Sequence, residues 1–380
     1  MRRWTFLVGA FLAIMMPVHF ALAAADVRTM DQLRVTQGSF DIPNFHFQDG
    51  ETMPALRMHY RTLGTPLRNS SGQVTNAVLI MHGTGGTGAQ FLSPRFADVL
   101  FKSGELLDAS KHYIILPDDI GHGGSSKPSD GLRMHFPHYN YHDMVEAEYA
   151  LVTQGLHVNH LRLVMGTSMG CMHSWMWGEM WPNFMDALMP LACLPAGMAG
   201  RNWVWRQMLV DSITADPAWD GGNYASEPQL GLVNAAHLLL MVVSDPHHWR
   251  ESFPTPKEAT TFVHKAIDNV VKHADANDMI YQFLSSRDYD PSAQLGQIKA
   301  WVMAVNSADD QVNPVGVDDM VMATEMEKVK HGSYIILPVS DQTHGHGTHT
   351  IPAVWDQWLW KLLKESNPGQ QPVAAIRLQK

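Results

Sequence analysis

The stretch that decides the fold is residues 161–180, which read LRLVMGTSMGCMHSWMWGEM. Its mostly apolar start predicts a buried strand over Leu161 to Met165, and a helix is predicted from Ser168 to Met180. Between them lies Gly166-Thr167-Ser168-Met169-Gly170, a G-x-S-x-G pattern. A serine on such a sharp strand-to-helix turn presents its hydroxyl to a cleft, and small flanking residues avoid collisions with the turn. Ser168 is therefore the candidate nucleophile.

Short apolar runs of the same kind recur along the chain and alternate with helical stretches such as Tyr141 to Gln154. Runs of this length fit parallel strands that are buried on both faces. They comprise Ala77 to Met81, Tyr113 to Leu116, Ala187 to Leu191, Trp301 to Val305 and Tyr334 to Leu337. Residues 28–75 are typical of an antiparallel lead-in, with a strand over Ala55 to Thr62. We expect an α/β fold with a mostly parallel sheet and helices on both faces.

The alternation of strands and helices stops after Leu194. Residues 195–295 are rich in Trp, Met and His, and long helices are predicted over Gln229 to Val243 and Thr260 to His273. We expect a helical cap inserted into a core made of residues 24–194 and 296–365. Residues 366–380 predict a flexible tail.

Three large side chains at the start of this cap, Trp203, Trp205 and Met208, have two possible roles. They could line a pocket for an acyl or alcohol group. They could equally fill the apolar interior of the cap, because Trp and Met are common in ordinary cores.

The N-terminus predicts export. Arg2 and Arg3 precede an apolar run from Phe6 to Met16, and Ala21-Leu22-Ala23 follows as a small-x-small cleavage site. This is the layout of a secretory signal peptide over residues 1–23, and the apolar run is too short to span a bilayer. We expect a periplasmic or secreted protein with no stable membrane insertion after cleavage.

Composition excludes several classes of protein. The chain of 380 residues is 45% hydrophobic and 17% charged, with a formal net charge of −10. Without a basic run, a nucleic-acid partner is not expected. The two cysteines, Cys171 and Cys193, are too few for a disulfide scaffold or a cysteine-rich zinc fold. We expect both to be buried thiols, with a disulfide between them as the alternative in an oxidising compartment.

Two regions after predicted strands supply partners for Ser168. Asp309 and Asp310 both follow the strand that begins at Trp301, and local sequence does not separate them as the acid. His344-Gly345-His346-Gly347-Thr348-His349 follows the last strand and offers the base. The order Ser, acid, His is that of a nucleophile-elbow triad. A metal site built from the three histidines is the rival interpretation, but no motif such as H-E-x-x-H completes it, so no metal is predicted.

The strand at Ala77 to Met81 continues into His82-Gly83-Thr84-Gly85-Gly86-Thr87-Gly88. This resembles the HGGG-type loop that donates one backbone N–H to an oxyanion, and the second N–H would come from the residue after the nucleophile, Met169. A phosphate-binding loop is excluded because no G-K-[ST] follows.

With these motifs the chain resembles the α/β-hydrolase superfamily and is most similar to the homoserine O-acetyltransferase family. The resemblance covers most of residues 40–365. The stretches that carry it are Asp119 to Ser126, Tyr141 to Val145, Gly166 to Met172, Arg206-Gln207, Asp216 to Trp219, Gly222 to Tyr224 and Asp275 to Asn277.

The resemblance implies a role for individual residues. It implies Ser168 as nucleophile, Asp310 rather than Asp309 as acid, and His346 as base. It places Thr84 in the oxyanion hole and implies that Arg206 grips a substrate carboxylate. A homodimer through the cap is also possible in this family.

Two departures weigh against the family's own reaction. The family usually has Asp directly after the catalytic His, where this chain has Gly347. The family also works in the cytoplasm beside acetyl-CoA, whereas this chain carries an export signal. We therefore predict an exported serine hydrolase that cleaves an ester, thioester, lactone or amide of a small molecule without a cofactor. The alternative is an acyltransferase that uses acetyl-CoA.

Overall fold

The computed structural model describes residues 33–367. Their strands form one sheet of eight, in the order β1-β2-β4-β3-β5-β6-β7-β8. β1 and β2 pair antiparallel, β2 pairs antiparallel with β4, and the other neighbours are parallel. The strands are β1 Thr36–His46, β2 Thr52–Leu63, β3 Ala77–Met81, β4 Tyr113–Pro117, β5 Leu163–Thr167, β6 Ala187–Leu191, β7 Trp301–Ser307 and β8 Gly332–Leu337. The predicted α/β architecture and the antiparallel lead-in are confirmed.

Ten α-helices lie within the described part of the chain. They are α1 Pro94–Leu100, α2 Tyr141–Ala150, α3 Met169–Met180, α4 Gly200–Thr214, α5 Gln229–Val242, α6 Pro246–Ser252, α7 Pro256–His273, α8 Ala276–Leu284, α9 Asp318–Met326 and α10 Pro352–Glu365. None of them is long and apolar enough to cross a membrane.

The central strands are buried because both of their faces carry apolar side chains. Every residue of β3, β4, β5 and β6 is buried. One apolar cluster covers the face under α2 and α3 and includes Trp175 and Trp177. A second covers the opposite face and includes Phe96 of α1 and Trp355 of α10. Helices on both faces therefore hold the sheet edge at the carboxyl ends of the strands in a fixed position.

The segment between β6 and β7 contains helices α4 to α8 and no strand. These helices pack around apolar side chains of their own, among them Leu209, Ile213 and Leu232. Trp205 belongs to this interior and is buried, whereas the Met208 side chain is 47% exposed. A capping box fixes the start of α7, because Thr255 and Glu258 each accept the other's backbone N–H.

Several predicted boundaries shift by a few residues. The strand predicted from Leu161 begins at Leu163, and the helix predicted from Ser168 begins at Met169. The helix predicted to Gln154 ends at Ala150 and continues as a wider π-type turn over Leu151–Gly155. The signal peptide prediction lies outside the described residues. So does most of the predicted tail, but Ser366 is buried at the end of α10 and hydrogen-bonds Arg162.

The expectation of two buried thiols is wrong. Cys171 and Cys193 form a disulfide that joins α3 to the chain just after β6, with 5.8 Å between the Cα atoms. That spacing lies in the normal range for a disulfide. The two cysteines come together because β5, which leads into α3, pairs with β6. Sequence spacing alone gives no such distance.

Candidate active site

The turn at Ser168 is strained in the way that a nucleophile elbow requires. Ser168 follows β5 directly and precedes α3, with φ 55° and ψ −108°. A Cβ at Gly166 would lie 2.0 Å from the Gly170 carbonyl oxygen, and one at Gly170 would lie 2.3 Å from that of Met81. No other residue fits either position, which explains both glycines of the pattern. The packing holds the Ser168 side chain at the carboxyl end of the sheet.

Three side chains from distant loops meet at this turn. The Oγ of Ser168 lies 2.9 Å from Nε2 of His346. Nδ1 of His346 lies 3.0 Å and 3.1 Å from the two carboxylate oxygens of Asp310. Asp310 follows β7 and His346 follows β8, so both come from strand ends on the same side of the sheet. The three residues predicted from sequence therefore form one continuous hydrogen-bonded chain.

Asp310 is buried, yet its surroundings favour the carboxylate. Its oxygens accept hydrogen bonds from the Val312 N–H at 2.7 Å and from the Asn313 side-chain amide at 3.0 Å. Burial acts to raise the pKa of Asp310, but pairing with His346 and these hydrogen bonds outweigh it and lower the pKa. A carboxylate held in this state orients the imidazole and stabilises its charged form.

Asp309 makes different contacts from its neighbour Asp310. Its Oδ2 accepts the backbone N–H of Gly345 at 3.1 Å, and its other oxygen accepts the hydroxyl of Ser307. Gly345 has φ 55°, and a Cβ there would lie 2.7 Å from the Ser244 carbonyl oxygen. Asp309 thus secures the backbone beside His346 without contacting its ring, which separates the two aspartates that local sequence leaves equivalent.

The glycine-rich loop after β3 lies against Ser168. A Cβ at Gly83 would be 3.3 Å from the Cβ of Ser168, so a larger residue here would crowd the serine. Within residues 33–367, the backbone N–H groups of Thr84 and Met169 have no hydrogen-bond acceptor on the protein. Two unpaired donors beside a serine hydroxyl have the character of an oxyanion hole.

Arg206 of the cap helix α4 is buried, and none of the described residues supplies a counter-ion. It is 2% exposed, its Nε donates to Asn202 at 3.0 Å, and its Nη1 has no partner among the described residues. Its guanidinium lies 4.7 Å from the centre of the Trp205 ring. Burial lowers the pKa of Arg206, and the neighbouring Tyr141 hydroxyl partly offsets that effect. Tyr141 also neighbours Thr84, so the unpaired cation lies close to the glycine-rich loop.

The three histidines of the last loop do not act as one ligand set. His346 lies between Asp310 and Ser168, and the ring of His349 packs edge-on against it at 5.0 Å. Burial, with the neighbouring His346, lowers the pKa of His349 to about 3. His344 turns away toward Asp245 of the cap, with 3.4 Å between its Nδ1 and a carboxylate oxygen.

A buried polar network lies behind the glycine-rich loop. His82 donates from Nδ1 to the Gly83 carbonyl at 2.8 Å, because its Nε2 accepts the Asp119 N–H at 3.1 Å. Both carboxyl oxygens of Asp119 are buried and have no hydrogen-bond partner within residues 33–367, and Nδ1 of His173 lies 3.7 Å from one of them. This network supports the loop that carries Thr84, and the sequence patterns gave no sign of it.

Glu148 of α2 completes the network. It accepts hydrogen bonds from His173 at 2.9 Å and from the Trp177 indole at 2.6 Å. Burial raises the pKa of Glu148 to about 7, although Asp119 and the Trp177 indole act to lower it. Burial and the nearby Glu148 charge also raise the pKa of Asp119 well above its usual range. Burial beside a second acidic group therefore favours the protonated form of Asp119.

Sequence comparison agrees with this geometry. The pattern of the alpha/beta hydrolase fold family matches residues 76–314, more than half of the chain. The chain belongs to the alpha/beta hydrolase family.

The similar proteins include acyltransferases. A homoserine O-acetyltransferase from Chlorobaculum parvum is 30% identical over 257 residues, which cover 62% of this chain and 68% of that protein. A probable acyltransferase from Methanothermobacter thermautotrophicus is 25% identical over 292 residues, covering 77% of this chain and 88% of that one. The predicted similarity to the homoserine O-acetyltransferase family is confirmed.

Solved structures share the fold at lower sequence identity. An acetylester hydrolase from Corynebacterium glutamicum superposes with a TM-score of 0.75 at 22% identity, covering 87% of this chain and 96% of that one. A homoserine O-acetyltransferase from Bacillus anthracis superposes with a TM-score of 0.76 at 19% sequence identity. The match covers 90% of this chain and 99% of that one. Family membership makes this chain an enzyme of the hydrolase or acyltransferase type.

The raised pKa of Glu148 predicts how Glu148→Gln changes the dependence of stability on pH. The unfolded chain loses the Glu148 proton near the ordinary value of 4.5, whereas the folded protein keeps it to about 7. Between these values the unfolded state binds fewer protons, so ionisation removes up to about 3 kcal/mol of folding stability as pH rises. The variant lacks this loss and is expected to gain stability relative to wild type from pH 5 to pH 8.

Urea unfolding at several pH values measures this difference. The exposed Glu327→Gln is the matched control, and its curve is expected to run parallel to that of wild type. A Glu148→Gln curve that is also parallel would show that Glu148 is already ionised at pH 5.

Proposed function

We propose that this chain is an exported serine hydrolase that cleaves an acyl bond of a small molecule through an acyl-enzyme on Ser168. The observation that carries the proposal is the position of His346, which touches both the Ser168 hydroxyl and the Asp310 carboxylate. Esters, thioesters, lactones and amides all present the carbonyl carbon that such a nucleophile attacks. No step of the proposed reaction needs a cofactor.

In the first half of the reaction, Nε2 of His346 takes the proton from Ser168 as Oγ attacks the acyl carbonyl. Asp310 holds the tautomer in which Nε2 is free, and it stabilises the imidazolium that forms. The N–H groups of Thr84 and Met169 donate to the oxyanion, each contributing about 3–4 kcal/mol of barrier reduction. His346 then gives its proton to the leaving alcohol, thiol or amine.

In the second half, His346 deprotonates a water that attacks the acyl-serine carbonyl. The same N–H groups stabilise the second oxyanion, and its collapse releases the acid and returns the proton to Ser168. Asp309 supports both halves indirectly, because its bond to the Gly345 N–H keeps the His346 loop in place.

The surroundings of Arg206 support a substrate that carries an anionic group. A buried guanidinium without a carboxylate partner is costly unless a ligand supplies the charge. Its neighbour Tyr141 also approaches Thr84, so the anion would lie near the reacting carbonyl. A carboxylate is the natural match, since the guanidinium fork binds it with two hydrogen bonds.

Acyl transfer from acetyl-CoA is the second candidate, and the similarity to homoserine O-acetyltransferases favours it. The first half-reaction would be the same, and an acceptor hydroxyl would replace water in the second. Gly347 stands where the family usually has an Asp after the catalytic His, which supports hydrolysis over transfer to an amino-acid acceptor.

Export to the periplasm or medium is part of the same proposal. The arrangement of residues 1–23 is that of a signal peptide, and the Cys171–Cys193 disulfide suits an oxidising compartment. Acetyl-CoA is scarce there, which again favours water as the acceptor.

Substitution of the triad tests the catalytic assignment. Purified protein is assayed on nitrophenyl esters of graded acyl length and on coenzyme A thioesters, with and without homoserine as acceptor. Ser168→Ala and Asp310→Asn are each expected to lower kcat by at least about 10⁴-fold.

Two matched controls accompany these variants. Ser212→Ala removes a hydroxyl that bonds only within the cap helix α4, and it is expected to keep wild-type activity. Asp309→Asn is expected to lose far less than Asp310→Asn. Wild-type rates in Ser168→Ala would refute the nucleophile, and acyl-homoserine as the main product would favour the transferase.

Arg206→Met tests for an anionic substrate group. The assay pairs esters that bear a carboxylate, on the acyl or the alcohol side, with their neutral methyl ester counterparts. The variant cannot pair with the substrate carboxylate as the Arg206 guanidinium would. Its kcat/KM is therefore expected to fall about 100-fold for the carboxylate substrate and little for the neutral one. Equal losses for both substrates would mean that Arg206 is structural.

Expression of the full chain in a Gram-negative host tests export. The recovered protein is expected in the periplasm, with an N-terminus near Ala24 and no free thiol. A Cys171→Ser, Cys193→Ser double variant is expected to lose about 3 kcal/mol of stability, as for a loop of 22 residues. An uncleaved protein with two titratable thiols in the cytoplasm would contradict this part of the proposal.

A further inference from the structure

His344 belongs to a group of side chains outside the catalytic chain. Its Nδ1 lies 3.4 Å from Oδ2 of Asp245, and Nδ1 of His248 lies 4.0 Å from the same oxygen. The two imidazole rings are 4.0 Å apart between centres. One ligand atom from each of the three residues lies within 4.8 Å of the other two. We infer that Asp245, His248 and His344 form a binding site for a zinc-like divalent metal ion.

The distances fit a shared metal ion better than a hydrogen-bonded cluster. N–H···O hydrogen bonds measure about 2.7–3.2 Å, and neither imidazole approaches Oδ2 of Asp245 that closely. Ligands at about 2.0–2.2 Å from a tetrahedral zinc lie roughly 3.4 Å from one another. The His344–Asp245 separation already has this value, whereas His248 Nδ1 at 4.0 Å from the same oxygen would have to move closer on binding.

The backbone fixes two of the three ligands before any metal binds. Oδ1 of Asp245 accepts the His248 N–H at 3.1 Å, which leaves Oδ2 directed at the imidazoles. On the other side, Gly345 packs so closely on Ser244 that no larger side chain fits between them. The loop after β8 is thereby held against the start of α6, and His344 is held opposite Asp245.

The group is also accessible from solvent. The side chains of His344 and His248 are 25% and 31% exposed, and that of Asp245 is 9% exposed. Two imidazoles and one carboxylate are ligands that zinc accepts, and water can take the fourth position. Hydrolysis at Ser168 does not need this ion, so the site is separate from the proposed reaction.

The position of the site gives it a structural consequence. Asp245 and His248 belong to the cap, whereas His344 precedes His346 by two residues in the loop after β8. A metal bound to all three would join the cap to the loop that carries the base. Metal binding is therefore expected to stabilise this contact and raise the melting temperature.

Zinc titration of the purified, disulfide-bonded protein tests the inference. Calorimetry is expected to show one equivalent bound, together with a higher melting temperature. His248→Ala, His344→Ala and Asp245→Asn are each expected to weaken binding by more than the roughly 10–100-fold that loss of a supporting partner costs. Asn at position 245 can still accept the His248 N–H, so this variant keeps the local fold.

His247→Ala is the matched control, because His247 is the adjacent residue of the same helix. It faces Asp341 and Glu251 in a separate, exposed group and is expected to leave zinc binding unchanged. The inference is overturned if zinc does not bind, if binding survives in all three site variants, or if His247→Ala is the variant that abolishes it.

Discussion

The backbone of Ser168 is the constraint on which the rest of the site depends. A serine with φ 55° and ψ −108° has left both the strand and the helix regions, at a cost of about 1–3 kcal/mol. The structure maintains this conformation because Gly166 approaches Gly170, and Gly170 approaches Met81, more closely than any Cβ permits. The same turn leaves the N–H of Met169 at the start of α3 without an acceptor among the described residues. It also places the Ser168 hydroxyl within hydrogen-bond distance of His346. Relaxing the turn would displace the Ser168 hydroxyl and the Met169 N–H together.

The parallel sheet brings the other residues of the candidate site to Ser168. Thr84, Ser168, Asp310 and His346 follow β3, β5, β7 and β8, whose carboxyl ends share one edge. Loops at that edge can meet although they are far apart in sequence, as in other α/β folds. The cap helices α4 to α8 then add residues from a second direction, with Arg206 near the glycine-rich loop and Asp245 beside His344. The core therefore supplies the chemistry, and the cap is where substrate choice and metal binding would be decided.

Much of this arrangement follows from sequence patterns, because the patterns report local physics. Continuous apolar runs predict the buried strands, and the glycines around Ser168 predict the turn. Local sequence left Asp309 and Asp310 equivalent, since each follows β7 and only the fold decides which one faces His346. The Cys171–Cys193 bond was missed because it depends on how β5 and β6 pair. The network around Asp119 and Glu148 carries no motif, since its members come from four separate elements and only their burial makes them unusual.

The reactivity of Ser168 is the central claim, and a fluorophosphonate probe tests it most directly. Treated protein would be digested, and the modified peptide would be identified by mass spectrometry. A single phosphonyl adduct on Ser168, formed much more slowly after His346→Ala, is the result expected for a serine activated by that imidazole. No adduct, or an adduct on another side chain while Ser168 stays unmodified, would contradict the account.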